Sequence, residues 1–382
     1  MSCAHTGRPP ATLAAVPGKG TAAPRGRVLH LAVVDPDYPR NARLRGYLEA
    51  HGVEVVVVRA HVHGSALQRH LRQARDGWRA GRGFDAVVLS EFSLHFVWIS
   101  WLLARRSRAL HVVDVLVGMH ETEVGDWQRV DRGGAKARVL RAWDRLALLA
   151  SDVALTDTAP RAERFTAVTA GRRTVHALPV GAPAWDWRGD PAVPGDRLRV
   201  LYYGNYLPLH GVDVLVDGVA QARRRASVHL TLVGDGGLRP EVERRVRERL
   251  PDEAVTFVDR CPATALPGLI AASDVVAGVF GSSDKAAEVV ANKVWQGLAA
   301  GRTVLTRESP ALADLHALVG DRLQVVPAGS AAAVADRLVA LSAPPLPHAS
   351  GGPLADVLEQ YVRDRYDEVF EASGLRRRLL GR

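Results

Sequence analysis

Cysteine is almost missing from this chain. Its 382 residues hold two, Cys3 and Cys261, one in the tail and one far from it. That excludes a disulfide framework and a cysteine-based metal cluster, and it fits a reducing cytoplasm. The first 26 residues are rich in Pro, Gly, Ala and Thr but lack the apolar core of a signal peptide, so a disordered leader is expected at 1–26. Long apolar runs are lacking too. The longest, Phe96–Ala104, is interrupted by Ser100 and falls well short of the roughly 20 residues that span a bilayer. Its Trp98 and Trp101 would allow peripheral contact with a membrane surface. The preferred reading is a helix buried behind the strand Asp85–Ser90. The formal net charge of +9 favours anionic partners such as phosphates or acidic lipid. No basic run is interleaved with aromatics, however. The two arginine triplets, Arg223–Arg225 and Arg376–Arg378, read as solvated faces, so nucleic acid is not expected as a partner.

Two halves repeat one architecture. The first opens with the apolar strand Arg27–Asp35, a loop, a helix over Arg43–His51 and a strand Val53–Ala60, with further strands at Asp85–Leu89, Ala109–Val113 and Asp152–Thr156. The second opens with Leu198–Tyr203, a loop, a helix over Val212–Arg223 and a strand Val228–Val233, and continues with Ala254–Val258, Val275–Val279 and Thr303–Thr306. Short apolar strands alternating with helical patterns imply buried parallel sheets. The expected fold class is therefore α/β, with two Rossmann-like doubly wound domains facing across a cleft. The first covers 27–183 and the second 197–345. The Pro- and Trp-bearing stretch Pro179–Pro194 supplies a linker, drawn at 184–196, and a helical segment closes the chain at 346–382. Such a pair of domains binds its ligand between them, at the carboxyl ends of the strands.

The loops at those ends carry the candidate chemistry. In the first half the loop is Asp35-Pro36-Asp37-Tyr38-Pro39-Arg40-Asn41. It is not a G-x-G-x-x-G turn, which disfavours a nicotinamide or flavin cofactor. Arg40 and Asn41 would begin the next helix, with Asn41 as an N-cap in the plain structural reading. In the second half the loop is Gly204-Asn205-Tyr206-Leu207-Pro208-Leu209-His210-Gly211. Its glycines permit close approach of a phosphate, and His210 would donate to it.

The most telling segment is GSSDKAAEVVANKVWQGLAAGRTVLT. It predicts one helix from Asp284 to Gly301, with Glu288, Asn292 and Gln296 sharing a face and Lys285 and Lys293 flanking it. The flexible loop Gly278–Ser283 before it would present backbone N–H groups to an anion, and Lys285 would add a charge. An anion site followed by hydroxyl-binding groups suits a nucleotide-sugar. The competing reading is an ordinary amphipathic helix.

At this point the residues carry a resemblance. The second half resembles the nucleotide-sugar domain of retaining GT-B glycosyltransferases, those usually grouped as glycosyltransferase family 4. The similar elements are Val200-Leu-Tyr-Tyr-Gly204, Pro208-Leu-His-Gly211, Leu232-Val-Gly-Asp-Gly236, Ala272-Ser-Asp274, Asn292-Lys-Val294 and the run Leu298–Thr306. Looser likenesses in the first half are Tyr38-Pro-Arg-Asn41, Trp143-Asp-Arg-Leu-Ala147 and Ala154-Leu-Thr-Asp-Thr158, so the match spans about Arg27 to Leu315. The resemblance implies transfer of a sugar from a UDP- or GDP-linked donor to a glycan, a lipid-linked or a small-molecule acceptor. It implies retention, no metal and no other cofactor. Placement in the cytoplasm, up to the inner face of the membrane, is expected with it.

It also implies residue roles. Family members often carry two glutamates eight positions apart; here those positions hold Glu288, for the sugar hydroxyls, and Gln296, for the ribose without a charge. The loop cations many members use for the diphosphate are replaced by Asn205 and His210, leaving Lys285 as the best cation. Gly204, Gly211, Asn292 and Lys293 complete the donor side. His120, in Val117-Gly118-Met119-His120-Glu121-Thr122, is the candidate beside the donor sugar, and Arg40, Asn41, Asp114 and Glu121 are the acceptor-side candidates. No Asp-x-Asp motif stands at a strand end, and no Ser-His-Asp set is required. Two alternatives stay open: a sugar-nucleotide epimerase of the same fold, and a non-catalytic homologue that binds a nucleotide-sugar.

Overall fold

The structure, a computed structural model, describes residues 24–127, 129–185, 196–342 and 352–381. Most of the expected leader, most of the linker and the start of the expected closing segment, 346–351, lie outside the described residues.

The first half runs β1 (Gly26–Val33), α1 (Pro39–Ala50), β2 (Val53–Arg59), α2 (Ala66–Arg79), β3 (Ala86–Leu89), α3 (Val97–Ser107), β4 (Leu110–Asp114), α4 (Ala135–Ala150), β5 (Val153–Thr156), α5 (Ala159–Val168) and β6 (Val175–Ala177). The second half runs β7 (Leu198–Tyr203), α6 (Val212–Ala222), β8 (Val228–Val233), α7 (Arg239–Arg249), β9 (Val255–Val258), α8 (Leu266–Ala271), β10 (Val275–Ala277), α9 (Asp284–Glu288), α10 (Asn292–Ala299), β11 (Thr303–Arg307), α11 (Ala313–Val319), β12 (Leu323–Val326) and α12 (Ala331–Leu341). Two closing helices follow, α13 (Gly352–Ala372) and α14 (Leu375–Leu380).

Each half is one parallel sheet of six strands, ordered β2-β1-β3-β4-β5-β6 and β12-β11-β10-β7-β8-β9. The β4 strand Leu110–Asp114 is buried from His111 onward, and β3 and β5 are buried along their whole length. Burial on both faces is why these strands read as unbroken apolar runs rather than alternating ones. The last strand of each sheet in chain order, β6 and β12, was not expected from the sequence. Both are edge strands of three or four residues, too short to stand out by pattern.

The strand order reverses at two places. In the first sheet β1 lies between β2 and β3; in the second β7 lies between β8 and β10. A crevice opens outside the carboxyl ends of the strands at such a reversal. The loops there are 34–38 and 90–93 in the first half and 204–211 and 278–283 in the second.

The closing helices return to the first half. Tyr366 and Phe370 of α13 pack on Tyr47 of α1, whose hydroxyl donates to Asp367 at 2.6 Å. The same helix stacks Tyr361 on Trp295 of α10. It therefore ties α1 of the first half to α10 of the second.

Two expectations are corrected. The predicted helix Asp284–Gly301 is two helices, α9 and α10, separated by extended backbone at Val289 and Ala291. The carbonyls that would continue it are claimed from outside: Thr158 donates to the Glu288 carbonyl at 2.6 Å, and Ser309 donates to that of Ala287. Tertiary hydrogen bonds thus replace the i to i+4 bonds that the pattern suggested. The helix Val97–Ser107 is also only half buried. Val97, Ile99, Ser100, Leu103 and Ala104 face the core, while Trp98, Trp101 and Leu102 face outward.

Candidate active site

The second half's two crevice loops are locked to each other. Phe280 and Gly281 donate their N–H groups to the carbonyls of His210 and Leu209, at 2.9 and 3.2 Å. Gly211 makes this possible: it sits at φ +57°, and a Cβ there would come within 2.5 Å of the Gly281 nitrogen. Gly278 donates to Leu305, and Val279 to the Thr306 hydroxyl. These amides are therefore consumed internally. The expectation that the Gly278–Ser283 loop presents free N–H groups to an anion is corrected for Gly278 to Gly281, and α9 is too short to add much of a dipole.

Positive charge at this crevice comes instead from Lys293, on the second residue of α10. It is 4% exposed, and its Nζ has no hydrogen-bond partner among the described residues. The ammonium lies 4.2 Å from the centre of the Tyr202 ring, and a Cβ on Gly204 would stand 3.6 Å from it. Burial pulls its pKa down to about 7. Tyr202 also meets the loop histidine: its hydroxyl is 2.8 Å from Nδ1 of His210 and 2.9 Å from the Asn205 carbonyl. With the tyrosine proton on that carbonyl, His210 donates through Nδ1, and its Nε2 is an acceptor. Burial and the Lys293 charge hold this ring well below the ordinary histidine range. The expected phosphate donor His210 is therefore a neutral support for the loop. Asn205 is exposed at the loop's rim.

Gln296 is corrected as a ribose contact. It is 4% exposed, and its amide oxygen accepts from the Tyr203 hydroxyl at 2.7 Å. Breaking the helix also removes Glu288 from the stripe of Asn292 and Gln296. Asn292 instead opens α10 and hydrogen-bonds Tyr38 from the first half's loop.

A chain of charges joins the halves. The Glu288 carboxylate accepts from Arg164 Nε at 2.6 Å. Arg164 and Arg161 of α5 both bind the Glu121 carboxylate, and Arg161 lies 3.3 Å from Asp157. Glu121 is expected on the acceptor side but is buried between two guanidiniums, which hold its carboxyl below the usual range against the cost of burial. It opens a π-helical turn, Glu121–Asp126, that reaches the second half. There Lys285 donates to Thr122 at 3.3 Å and lies 3.8 Å from the buried Asp126 carboxylate. Trp127 follows, and a Cβ on Gly237 would stand 3.5 Å from its ring. His120 points elsewhere: Arg141 of α4 donates to its Nε2 at 3.3 Å, while its backbone N–H is held by Asp144. Burial and the neighbouring arginines lower its pKa, so it stays neutral near pH 7.

Two further acceptor-side candidates are structural. Arg40 is fully buried and donates to Asp114 at 2.7 Å, to the Thr156 carbonyl at 3.1 Å and to that of Leu178. The Thr156 carbonyl ends β5 and also accepts from the Leu178 N–H at 2.8 Å, while the Leu178 carbonyl lies just beyond β6. The guanidinium satisfies them, and Asp114 balances it. Neither residue is free to meet an acceptor. Asn41 is buried as well, but it leads to a residue missed by the sequence reading. Its amide donates to Glu91 at 2.6 Å and to the Asp35 carbonyl at 2.8 Å. Glu91 follows β3 in the crevice loop. Burial, with the Asp114 charge, raises its pKa to about 7. Its position one residue beyond Ser90, at a strand's carboxyl end, was the available signal. Arg164 and Asp126 carried none, because their partners are distant in sequence.

Among the described residues, no group of three His, Cys, Asp or Glu side chains is placed to hold a metal ion. A hollow of about 180 Å³, lined by Arg197, Arg199, His229 and Ser273, lies at the opposite, amino end of β7 and is smaller than a ligand pocket usually is.

Residues 197–343 match the family described as glycosyl transferases group 1. No curated protein matches the sequence. Among solved structures, HepE from Anabaena in complex with UDP and glucose is similar at a TM-score of 0.63 and 14% identity, over 91% of this chain and 99% of that one. Sucrose-phosphate synthase from Thermosynechococcus elongatus gives 0.64 and 18%, over 92% and 97%. The lipopolysaccharide outer core galactosyltransferase WaaB gives 0.59 and 11%, over 91% and 98%. The chain therefore has the GT-B fold, and residues 197–343 of its second half match the glycosyl transferases group 1 family.

Proposed function

We propose that this protein transfers a sugar from a nucleotide-sugar to an acceptor hydroxyl, with retention and without a metal ion. The second half, 197–345, takes the donor, and the first half, 27–183, takes the acceptor. The observation that carries this reading is the unpaired, buried ammonium of Lys293 at the point where the second sheet reverses. An uncompensated cation there is costly unless an anion completes it. A donor diphosphate is that anion, and the charge that builds on it as the sugar leaves is what Lys293 stabilises. HepE with bound UDP-glucose supports a uridine donor, and the hexose class is part of the proposal. The acceptor is a hydroxyl on a glycan, a lipid-linked glycan or a small molecule.

Glu288 faces the sugar in this reading, steadied by Arg164. Glu288→Gln removes the charge from that contact and leaves the Lys293 crevice intact. Turnover is expected to fall about ten- to a hundredfold while a free nucleoside diphosphate binds as before. Normal turnover, measured by nucleotide release, would take Glu288 out of the site. Metal independence predicts unchanged turnover in EDTA. Loss on chelation with recovery on adding magnesium or manganese would overturn it. A screen of UDP- and GDP-sugars with and without acceptors separates transfer from epimerisation, since only transfer makes a glycosylated product. Binding without any turnover would instead mark a homologue that only binds.

A further inference from the structure

Three helices of the first half lie side by side on one face of its sheet. Gly77 of α2 sits against Leu103 of α3, where a Cβ would come within 2.5 Å of the leucine side chain. His70 of α2 stacks parallel to Trp98 of α3, with ring centres 6.0 Å apart. Trp143 of α4 donates to the Leu94 carbonyl, in the turn that leads into α3, at 3.0 Å. The outward surface of this layer is apolar where solvent exposure would favour polar side chains. On α3, Trp98, Trp101 and Leu102 are 46%, 40% and 46% exposed, and with Arg105 they follow helical spacing along one outer stripe. On α2, Leu67, Leu71 and Trp78 form the neighbouring stripe, with Leu71 at 62%. Val139 and Leu146 continue it on α4.

The charges on this layer are mostly of one sign. The three helices carry ten Lys and Arg against two acids, Asp76 and Asp144, which accounts for eight of the chain's nine net positive charges. Neither acid offsets them outwardly. Asp76 is engaged by Arg75 and His61, and Asp144 is buried beneath the loop that begins at Gly118. The arginines brace the indoles: Arg106 lies 3.6 Å over the Trp78 ring and Arg105 5.5 Å over that of Trp101.

We infer that this face docks on the surface of a bilayer containing anionic lipid. Tryptophan and leucine side chains enter the interfacial zone, and the surrounding arginines meet the headgroup phosphates. Charge complementarity selects this occupant, because a broad layer of indoles ringed by cations lacks the acids that a typical mixed protein contact would need. No helix among the described residues is long and apolar enough to cross a membrane, so the attachment is superficial. The inference stands on this surface alone and is independent of the transfer reaction.

The test uses the full chain and vesicles of phosphatidylcholine, alone or with phosphatidylglycerol. The protein is expected to co-sediment with the anionic vesicles only, to be released by added salt, and to show blue-shifted tryptophan emission when bound. Replacing one arginine of the face, as in Arg72→Ala, should weaken partitioning about fivefold. The double variant Trp98→Ser, Trp101→Ser should weaken it at least tenfold, about 1.4 kcal/mol, with its thermal melt confirming a folded protein. If that variant does not fold, Leu102→Ser alone serves, since its side chain is outward. Failure to bind anionic vesicles, equal binding to neutral ones, or full binding by the variants overturns the inference. So does concentration-dependent self-association that the variants abolish without any vesicle binding, which would assign the face to a protein contact.

Discussion

Replacing Lys293 by methionine is expected to raise the stability of the free protein and to weaken nucleoside diphosphate binding, two effects of opposite sign from one change. Methionine fills a similar volume beside Tyr202 without an amine to bury, so the unliganded fold gains. The diphosphate loses a charge-assisted contact worth about 1.5–3 kcal/mol, or roughly ten- to a hundredfold in affinity. A variant that is merely misfolded would lose both.

The pH dependence sharpens the test. The folded protein's Lys293 has a pKa of about 7, below its ordinary value of 10.5. Between those values the unfolded chain holds a proton that the folded chain has released, so this group makes stability rise with pH across that window. Below about pH 7 the full cost of the buried charge is present. Diphosphate binding runs the other way: the anion draws the proton back, so affinity falls as pH rises above 7. Calorimetry in buffers of different ionisation enthalpy should show uptake of close to one proton at pH 8, absent in Lys293→Met. Binding without proton uptake, and with the same affinity in the variant, would remove Lys293 from the donor site.

Arg40→Met is expected to destabilise the first half by about 3–5 kcal/mol, because it strands the buried Asp114 carboxylate without its cation. It also leaves the carbonyls of Thr156 and Leu178 without their guanidinium donor. Urea unfolding followed by circular dichroism measures this directly. Adding Asp114→Asn should recover part of the loss, since the second change removes the orphaned charge. If Arg40→Met instead leaves stability intact and lowers turnover only by raising the acceptor KM, then Arg40 faces the acceptor as the sequence reading expected, and the structural assignment falls.

The strands were largely legible before any coordinates. Leu198–Tyr203 and Val228–Val233 run as read: the first is apolar and buried from Val200 to Tyr203, and the second alternates buried Val228, Leu230 and Leu232 with half-buried His229 and Thr231, so a run in one and a period of two in the other survive in one dimension. The loops that follow the strands were legible for the same reason: a strand's end defines its loop. Glu91 could have been found that way. The helix Asp284–Gly301 could not be read correctly, since its break depends on Thr158 and Ser309, which come from elsewhere in the chain and capture its carbonyls.

The chain's local pattern by itself determined the α/β class, the two-sheet plan, the crevice loops and the candidate residues near them, because periodicity and turn chemistry act over a few residues. Which of those residues carry free chemistry was decided only by the tertiary structure. Arg40, Asp114, Glu121 and Gln296 look like site residues by position, yet each is spent on a buried partner 40 to 138 positions away. Lys293 looked like a flanking charge and is a buried cation whose Nζ has no hydrogen-bond partner among the described residues. The physical reason is desolvation: a buried polar group must find its partner wherever the fold brings one, and sequence spacing does not record who that partner is.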